Sequence, residues 1–154
     1  MKSGMVLSVD DNEDDQFLLQ RAWEKSGLPL GLHLISDGDK AIQYLCGAKN
    51  ESNRGRFSRP DLILLDLKMP RKNGFEVLAW LKRDPEAPRC PVAVFSSSQD
   101  GTDIKRAYEL GARWYITKPV EYQELIRWTE LIGRWFENPE QNDLSGSSHY
   151  RRPT

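Results

Sequence analysis

Residues 60–74 read PDLILLDLKMPRKNG. Four consecutive branched apolar residues, Leu62 to Leu65, end in a single carboxylate, Asp66. A short apolar run bounded by turn signals predicts a strand buried on both faces, as in a parallel sheet. A lone Asp inside such a run would be costly to bury ionised and unpaired. At the carboxyl end of the strand it stands instead on the edge where open α/β sheets place their ligands. Lys68, Met69 and Pro70 lead away from the sheet, and Asn73-Gly74 predicts a turn before the next helix. Taken alone, Asp66 is equally well read as a residue capping a loop, and the rest of the chain has to decide.

Toward the N-terminus, Met5 to Val9 is a second short apolar strand that ends in carboxylates, Asp10 and Asp11. Asn12, Asp14 and Asp15 are N-cap and first-turn residues for a helix whose apolar side is Phe17, Leu18, Ala22 and Trp23 and whose stop is Ser26-Gly27. Leu30 to Ile35 predicts an edge strand, where His33 sits on a wet face with a structural rather than a catalytic role. Ser36 to Asp39 opens a helix through Ala41, Ile42, Tyr44 and Leu45, and the polar, aperiodic stretch from Gly47 to Arg59 predicts a long exposed loop. On the other side of the quoted stretch, Gly74 opens a helix with Val77, Leu78 and Leu81 on one face, broken by Asp84-Pro85 and Pro88. Val92 to Phe95 is a fourth strand running into Ser96, Ser97 and Ser98. A helix from about Thr102 to Leu110 stops at Gly111 in the left-handed conformation. Ala112 to Thr117 is a fifth strand followed by Lys118-Pro119. The last helix, Glu121 to Phe136, has Leu125, Thr129, Ile132 and Phe136 at core spacing. The expected folded domain is 1–137, with 138–154 a polar, disordered tail.

The composition narrows the function classes. A chain of 154 residues is one domain's worth. Its 22 Lys and Arg against 23 Asp and Glu leave a net charge of -1, which argues against a nucleic-acid binder driven by bulk charge. No apolar run approaches the roughly 20 residues of a membrane span, and the start does not read as a signal peptide. Cys46 and Cys90 are too few and too far apart for a zinc site or a disulfide framework, so both are expected as thiols in a reducing, cytoplasmic compartment.

Five alternations of strand and helix predict a doubly wound five-stranded parallel sheet in the order 2-1-3-4-5, covered on both faces. The carboxyl ends of its strands then offer Asp10 and Asp11, Asp66, Ser96 and Lys118. Carboxylates brought within about 4 to 5 Å repel by several kcal/mol per pair at an effective dielectric of 20. A hard divalent cation relieves this, and oxygen-only ligands favour Mg²⁺ (or Mn²⁺). Asp66, ionised at neutral pH, could then attack phosphorus in line without a general base. Lys118 would neutralise the phosphoryl oxygens and Ser96 would donate a hydrogen bond to one of them.

On these residues the chain resembles a response-regulator receiver domain of two-component signalling, a flavodoxin-like (βα)5 fold, over roughly Met5 to Phe136. The acidic pair matches Asp10 and Asp11, the phosphoacceptor Asp66 in LLDLKMPRKNG, the hydroxyl residue Ser96, and the lysine-proline pair Lys118-Pro119. The separations 96 − 66 = 30 and 118 − 66 = 52 are those of simple receivers. The resemblance implies that the Lys68 carbonyl completes the ligands of the metal, that the Lys118-Pro119 bond is cis, and that Tyr115 is the switch aromatic, turning inward from solvent as Ser96 moves toward the phosphoryl group. It also implies a protein that catalyses only its own phosphorylation and dephosphorylation, with a sensor histidine kinase or phosphotransfer protein as donor. Two departures stand out. Ser96 replaces the commoner Thr, and the separation 66 − 11 = 55 exceeds the usual spacing by about ten residues, the excess lying in the loop after Gly47. Such a loop resembles the small response regulators that accompany bacterial phytochromes.

Two rivals from other classes fit less well. An FMN binder of the same topology needs a hydroxyl- and glycine-rich phosphate loop where this chain has DDNEDD. A small-molecule phosphatase working through an aspartyl phosphate wants a second carboxylate two residues past its nucleophile, where this chain has Lys68. A degenerate receiver serving as a scaffold is disfavoured because every matched chemical residue is intact. Since 138–154 is too short for a DNA-binding module, output is expected through protein contacts. Trp128, Leu131 and Trp135 form a second apolar stripe on the last helix and, with Tyr108 and Trp114, predict a homodimer or partner face over helix 4, strand 5 and helix 5. The competing reading is one broad buried face with the tail folded over it.

Overall fold

The computed structural model describes residues 4–48, 59–85 and 87–153. In chain order these form β1 (Gly4–Val9), α1 (Glu13–Ser26), β2 (Leu30–Ile35), α2 (Gly38–Ala48), β3 (Leu62–Leu65), α3 (Gly74–Arg83), β4 (Val92–Ser96), α4 (Gly101–Glu109), β5 (Trp114–Thr117) and α5 (Tyr122–Glu137). The strands make one parallel sheet in the order β2-β1-β3-β4-β5, as the alternation predicts. Of the loop expected from Gly47 to Arg59, residues 49–58 lie outside those described, and Gly47 itself belongs to α2.

Side-chain alternation along the strands divides the core in two. Leu7, Val9, Ile63, Leu65, Val92, Val94 and Tyr115 face one side, where α2, α3 and α4 supply Ala41, Leu45, Phe75, Val77, Leu78, Ile104 and Ala107. Val6, Leu62, Leu64, Ala93, Phe95, Trp114 and Ile116 face the other, packed by α1 and α5 through Leu19, Ala22, Trp23, Leu125, Trp128 and Ile132. All four residues of β3 are fully buried, which is why its sequence is a continuous apolar run rather than an alternating one. β2 is an edge strand, and His33 stacks on Tyr44 with ring centroids 4.8 Å apart, a packing role.

Three expectations need correction. The tail is not disordered. After α5 it forms a single 3-10 turn (Leu144–Gly146) and returns antiparallel along the outer edge of β5. Thr117 N donates to the His149 carbonyl at 3.0 Å and Arg151 N to the Tyr115 carbonyl at 2.8 Å. Leu144 is fully buried, and Trp114 Nε1 donates to Asp143 Oδ1 at 3.1 Å. Its polar composition concealed one apolar anchor and a set of backbone hydrogen bonds that composition does not report.

The aromatic output face is likewise occupied. Trp114, Trp128 and Trp135 are only 2%, 1% and 7% exposed, and Tyr108 and Leu131 are half-buried. Trp128 stacks on Phe95, and Trp135 meets Trp114 edge to face. The second stripe is therefore core, as the competing reading had it. Finally, no peptide bond among the described residues is cis, so Lys118-Pro119 is trans. The resemblance alone had supported the other isomer, and the trans form is the lower in energy for X-Pro.

Candidate functional site

Four strand ends and the turns that follow them build the site. Asp10 follows β1, and its backbone N–H donates to the Ile35 carbonyl at 3.0 Å, fixing the chain where it leaves the sheet. Its Oδ1 accepts from Asn12 N at 2.9 Å, and Asn12 in turn caps α1 by accepting from Asp15 N. Gln16, only 8% exposed, reaches back beneath this turn. Its Nε2 donates to the carbonyls of Ser8, Asp10 and Ile35, and its Oε1 accepts from Ser8 Oγ. Asp66 N donates to the Val9 carbonyl, and Asp66 Oδ1 accepts from Leu67 N at 2.8 Å.

The following turn must come very close to Asp66. Gly74 N donates to the Leu67 carbonyl, while Asn73 and Glu76 form a reciprocal capping box that starts α3. Ser96, the last residue of β4, is 1% exposed and its Oγ accepts from Ser98 N. Lys118 N donates to the Ser96 carbonyl, which ties the end of β5 to the end of β4.

These elements bring the predicted residues together. Asp10, Asp11 and Asp66 each present a carboxylate oxygen within 4.8 Å of the others. Lys118 Nζ lies 2.6 Å from Asp10 Oδ2, 2.8 Å from Asp15 Oδ2 and 3.3 Å from Asp66 Oδ2. Burial works against the lysine's charge, but Asp66, Asp10 and Asp15 outweigh it and hold its pKa above the usual lysine range. Burial pushes the Asp10 carboxyl up to about 6, against the pull of Lys118 and the Asn12 N–H. One ammonium thus leaves the acidic cup undercompensated. Oxygen donors at this separation, with no histidine or cysteine among them, fit a small hard divalent cation. The cup opens into a cleft of about 580 Å³ lined also by Asn12, Lys68, Ser97 and Ser98, room enough for a phosphoryl group.

Tyr115, the aromatic residue expected to act as a switch, lies in the core beside β4. Tyr115 is fully buried, and its hydroxyl donates to the Ser98 carbonyl at 2.9 Å. The tail clamps its backbone, since Tyr115 N donates to Tyr108 Oη and Tyr108 Oη donates to the Arg151 carbonyl. Its side chain points into the fold. Lys68 lines the cleft, and its Nζ lies 3.4 Å from Asp103 Oδ2, which also accepts from Ser98 Oγ. Burial pushes the Cys90 thiol up to about 12, away from the reactive thiolate form.

Sequence reasoning missed Asp15 and Gln16 as site residues, reading the first only as a helix-start acid. A signal for Asp15 was present. It closes a run of acids, Glu13, Asp14 and Asp15, in the first turn of the helix that follows the acidic pair. The signal for Gln16 was a polar residue next to the apolar side of α1.

Known proteins agree with this geometry. The response regulator receiver domain profile matches residues 6–130. The response regulator Rcp1 of Synechocystis is 34% identical over 134 residues, covering 86% of this chain and 89% of that protein. The phosphorylated cyanobacterial phytochrome response regulator RcpA superposes with a TM-score of 0.77 at 37% identity, over 90% of this chain and 96% of that one. The Mn²⁺-bound form of Rcp1 gives 0.73 at 32% identity, over 88% and 95%. No helix among the described residues is long and apolar enough to cross a membrane. With its acidic cup, its lysine and its sheet order all in the expected places, the chain belongs to the response regulator receiver domain family.

Proposed function

We propose that the protein accepts a phosphoryl group onto Asp66 from a phosphohistidine of a sensor kinase or phosphotransfer protein, in a reaction that requires Mg²⁺ or Mn²⁺. The observation that carries this reading is the convergence of Asp10 and Asp11, Asp66 and Lys118 from three strand ends into one partly buried cup. Asp10, Asp11 and Asp66 would hold the cation, with the Lys68 carbonyl as a further ligand. When bound, the cation supplies positive charge against the phosphoryl oxygens.

The residues of the chain do the rest. One oxygen of Asp66 attacks phosphorus, the P–N bond to the donor imidazole breaks, and the imidazole leaves with its electron pair and takes up a proton. Lys118 and the Ser96 hydroxyl donate to the transferred oxygens. Later attack of water on phosphorus returns the Asp66 carboxylate and releases inorganic phosphate, so the only turnover is of the protein's own modification.

Partner and output surfaces follow from exposure. Phe17, Leu18 and Val120 are 58%, 41% and 97% exposed, and Phe17 lines a shallow cleft with Asp10 and Asp11. This apolar rim beside the cup suits the helix that carries a donor histidine, and the relatives RcpA and Rcp1 favour a phytochrome-type kinase as its source. Output runs through protein contacts on the surface that the tail adds to α4, β5 and α5. Phosphorylation would draw Ser96 and the residues after it toward the phosphoryl group.

Incubation with acetyl phosphate and Mg²⁺, followed by intact-mass measurement, tests the chemistry. One phosphoryl adduct is expected, absent from Asp66→Asn and absent with a chelator. An adduct that survives either change refutes the assignment.

A further inference from the structure

Lys118 spends all three of its N–H donors on carboxylates, and the three are not equivalent. Asp10 and Asp66 belong to the trio whose oxygens can converge on a cation, whereas Asp15 does not. A divalent cation and an ammonium group compete for the same oxygens of Asp10 and Asp66, and they repel each other across the cup. A cation entering the cup therefore weakens two of the lysine's three bonds. The bond at 2.8 Å to Asp15 is the one it leaves intact.

Asp15 is well placed to keep it. Its backbone N–H is anchored on the Asn12 side chain in the first turn of α1. Its side chain is 36% exposed, against 6% and 9% for those of Asp10 and Asp66, so it stays hydrated and faces the open side of the cleft.

We propose that Asp15 is a positioning residue for Lys118: it holds the ammonium at the α1 side of the cup while a divalent cation occupies Asp10 and Asp66, and so keeps the lysine ready for the incoming phosphoryl group. This rests on the proposed phosphoryl chemistry for its consequence, but not for its test. Without the Asp15 charge, Lys118 is left with only the oxygens that the cation needs. The metal then binds more weakly, and the lysine is held less firmly in the metal-free protein.

The test has two arms on the full chain, using Asp15→Asn, Asp15→Glu and Lys118→Met. In the metal-free protein, the Lys118 ammonium is expected to give a slowly exchanging ¹H–¹⁵N signal in wild type and Asp15→Glu, and to lose or shift it in Asp15→Asn. An unshifted signal in Asp15→Asn overturns the proposal. Calorimetric titration with Mg²⁺ is expected to show affinity about threefold to tenfold weaker in Asp15→Asn, the range of one partly buried ion pair. Lys118→Met should abolish that difference. Equal affinity in wild type and Asp15→Asn, or an undiminished effect in the Lys118→Met background, overturns the positioning role, because a merely structural effect would not depend on the lysine. Absence of Mg²⁺ binding in wild type would refute the metal assignment while the ammonium signal still decides the role of Asp15.

Discussion

A methyl group on Gly74 would meet the Asp66 carbonyl oxygen at 2.2 Å and the Leu67 Cα at 2.8 Å. Neither atom can move without dragging Asp66, since both belong to the backbone that carries it or follows it. Gly74→Ala is therefore expected to cost about 1–3 kcal/mol, the range for overpacking, in urea unfolding. It should also slow labelling by acetyl phosphate by more than the loss of folded protein explains. A variant with wild-type stability and rate would show that the turn after Asp66 has slack. Asp66, Asp10, Asp11, Ser96 and Lys118 were legible in the sequence because each stands at or just past the end of a short apolar strand, and strand ends are easy to locate. Asp15 was not, because its role depends on the reach of a lysine 103 residues away. The orientation of Tyr115 was not either. Strand alternation says which face a side chain takes, but not that a hydroxyl from α4 and an N–H from the tail will pin its backbone there.

Among the elements, α5 departs furthest from its sequence pattern. Read as an amphipathic helix, it had a core stripe and a spare aromatic one. In the fold, Leu125, Trp128, Thr129, Ile132 and Trp135 are all buried. The helix packs on α1 with one side, where Thr129 Oγ1 and Ser26 Oγ share a hydrogen bond at 2.5 Å, and receives the tail on another. A helix apolar over most of its circumference is a buried helix, and the missing cover was the segment taken for a disordered tail. Leu144 is the anchor of that cover. Leu144→Ala is expected to destabilise the protein by about 2–5 kcal/mol, as for a fully buried leucine, and to red-shift tryptophan emission as Trp114 and Trp128 gain water. A loss below about 0.5 kcal/mol, the size of a surface substitution, would mean that the tail merely rests on α5.

For the whole molecule, the sheet order and the placement of the two helical layers followed from the sequence because β-α alternation leaves few right-handed solutions. What the tail does is a long-range matter that local patterning does not encode. This bears on how aromatic substitutions should behave. Trp128→Asp places a carboxylate among Phe95, Ile132 and Leu144, so it is expected to lower the unfolding free energy by at least about 3 kcal/mol. A residue that served only an interface between copies would instead change the sedimenting mass and leave unfolding unaltered. Sedimentation and urea titration of the same variant separate the two. The tail also gives the fold a mechanical asymmetry. Its rung from Thr117 to His149 lies one residue before Lys118, whereas Gly4 lies at the opposite end of the parallel strands. Tension applied at the carboxyl terminus is borne first by the rungs of the tail on β5, close to Lys118, and tension applied at the amino terminus by the end of the sheet remote from it.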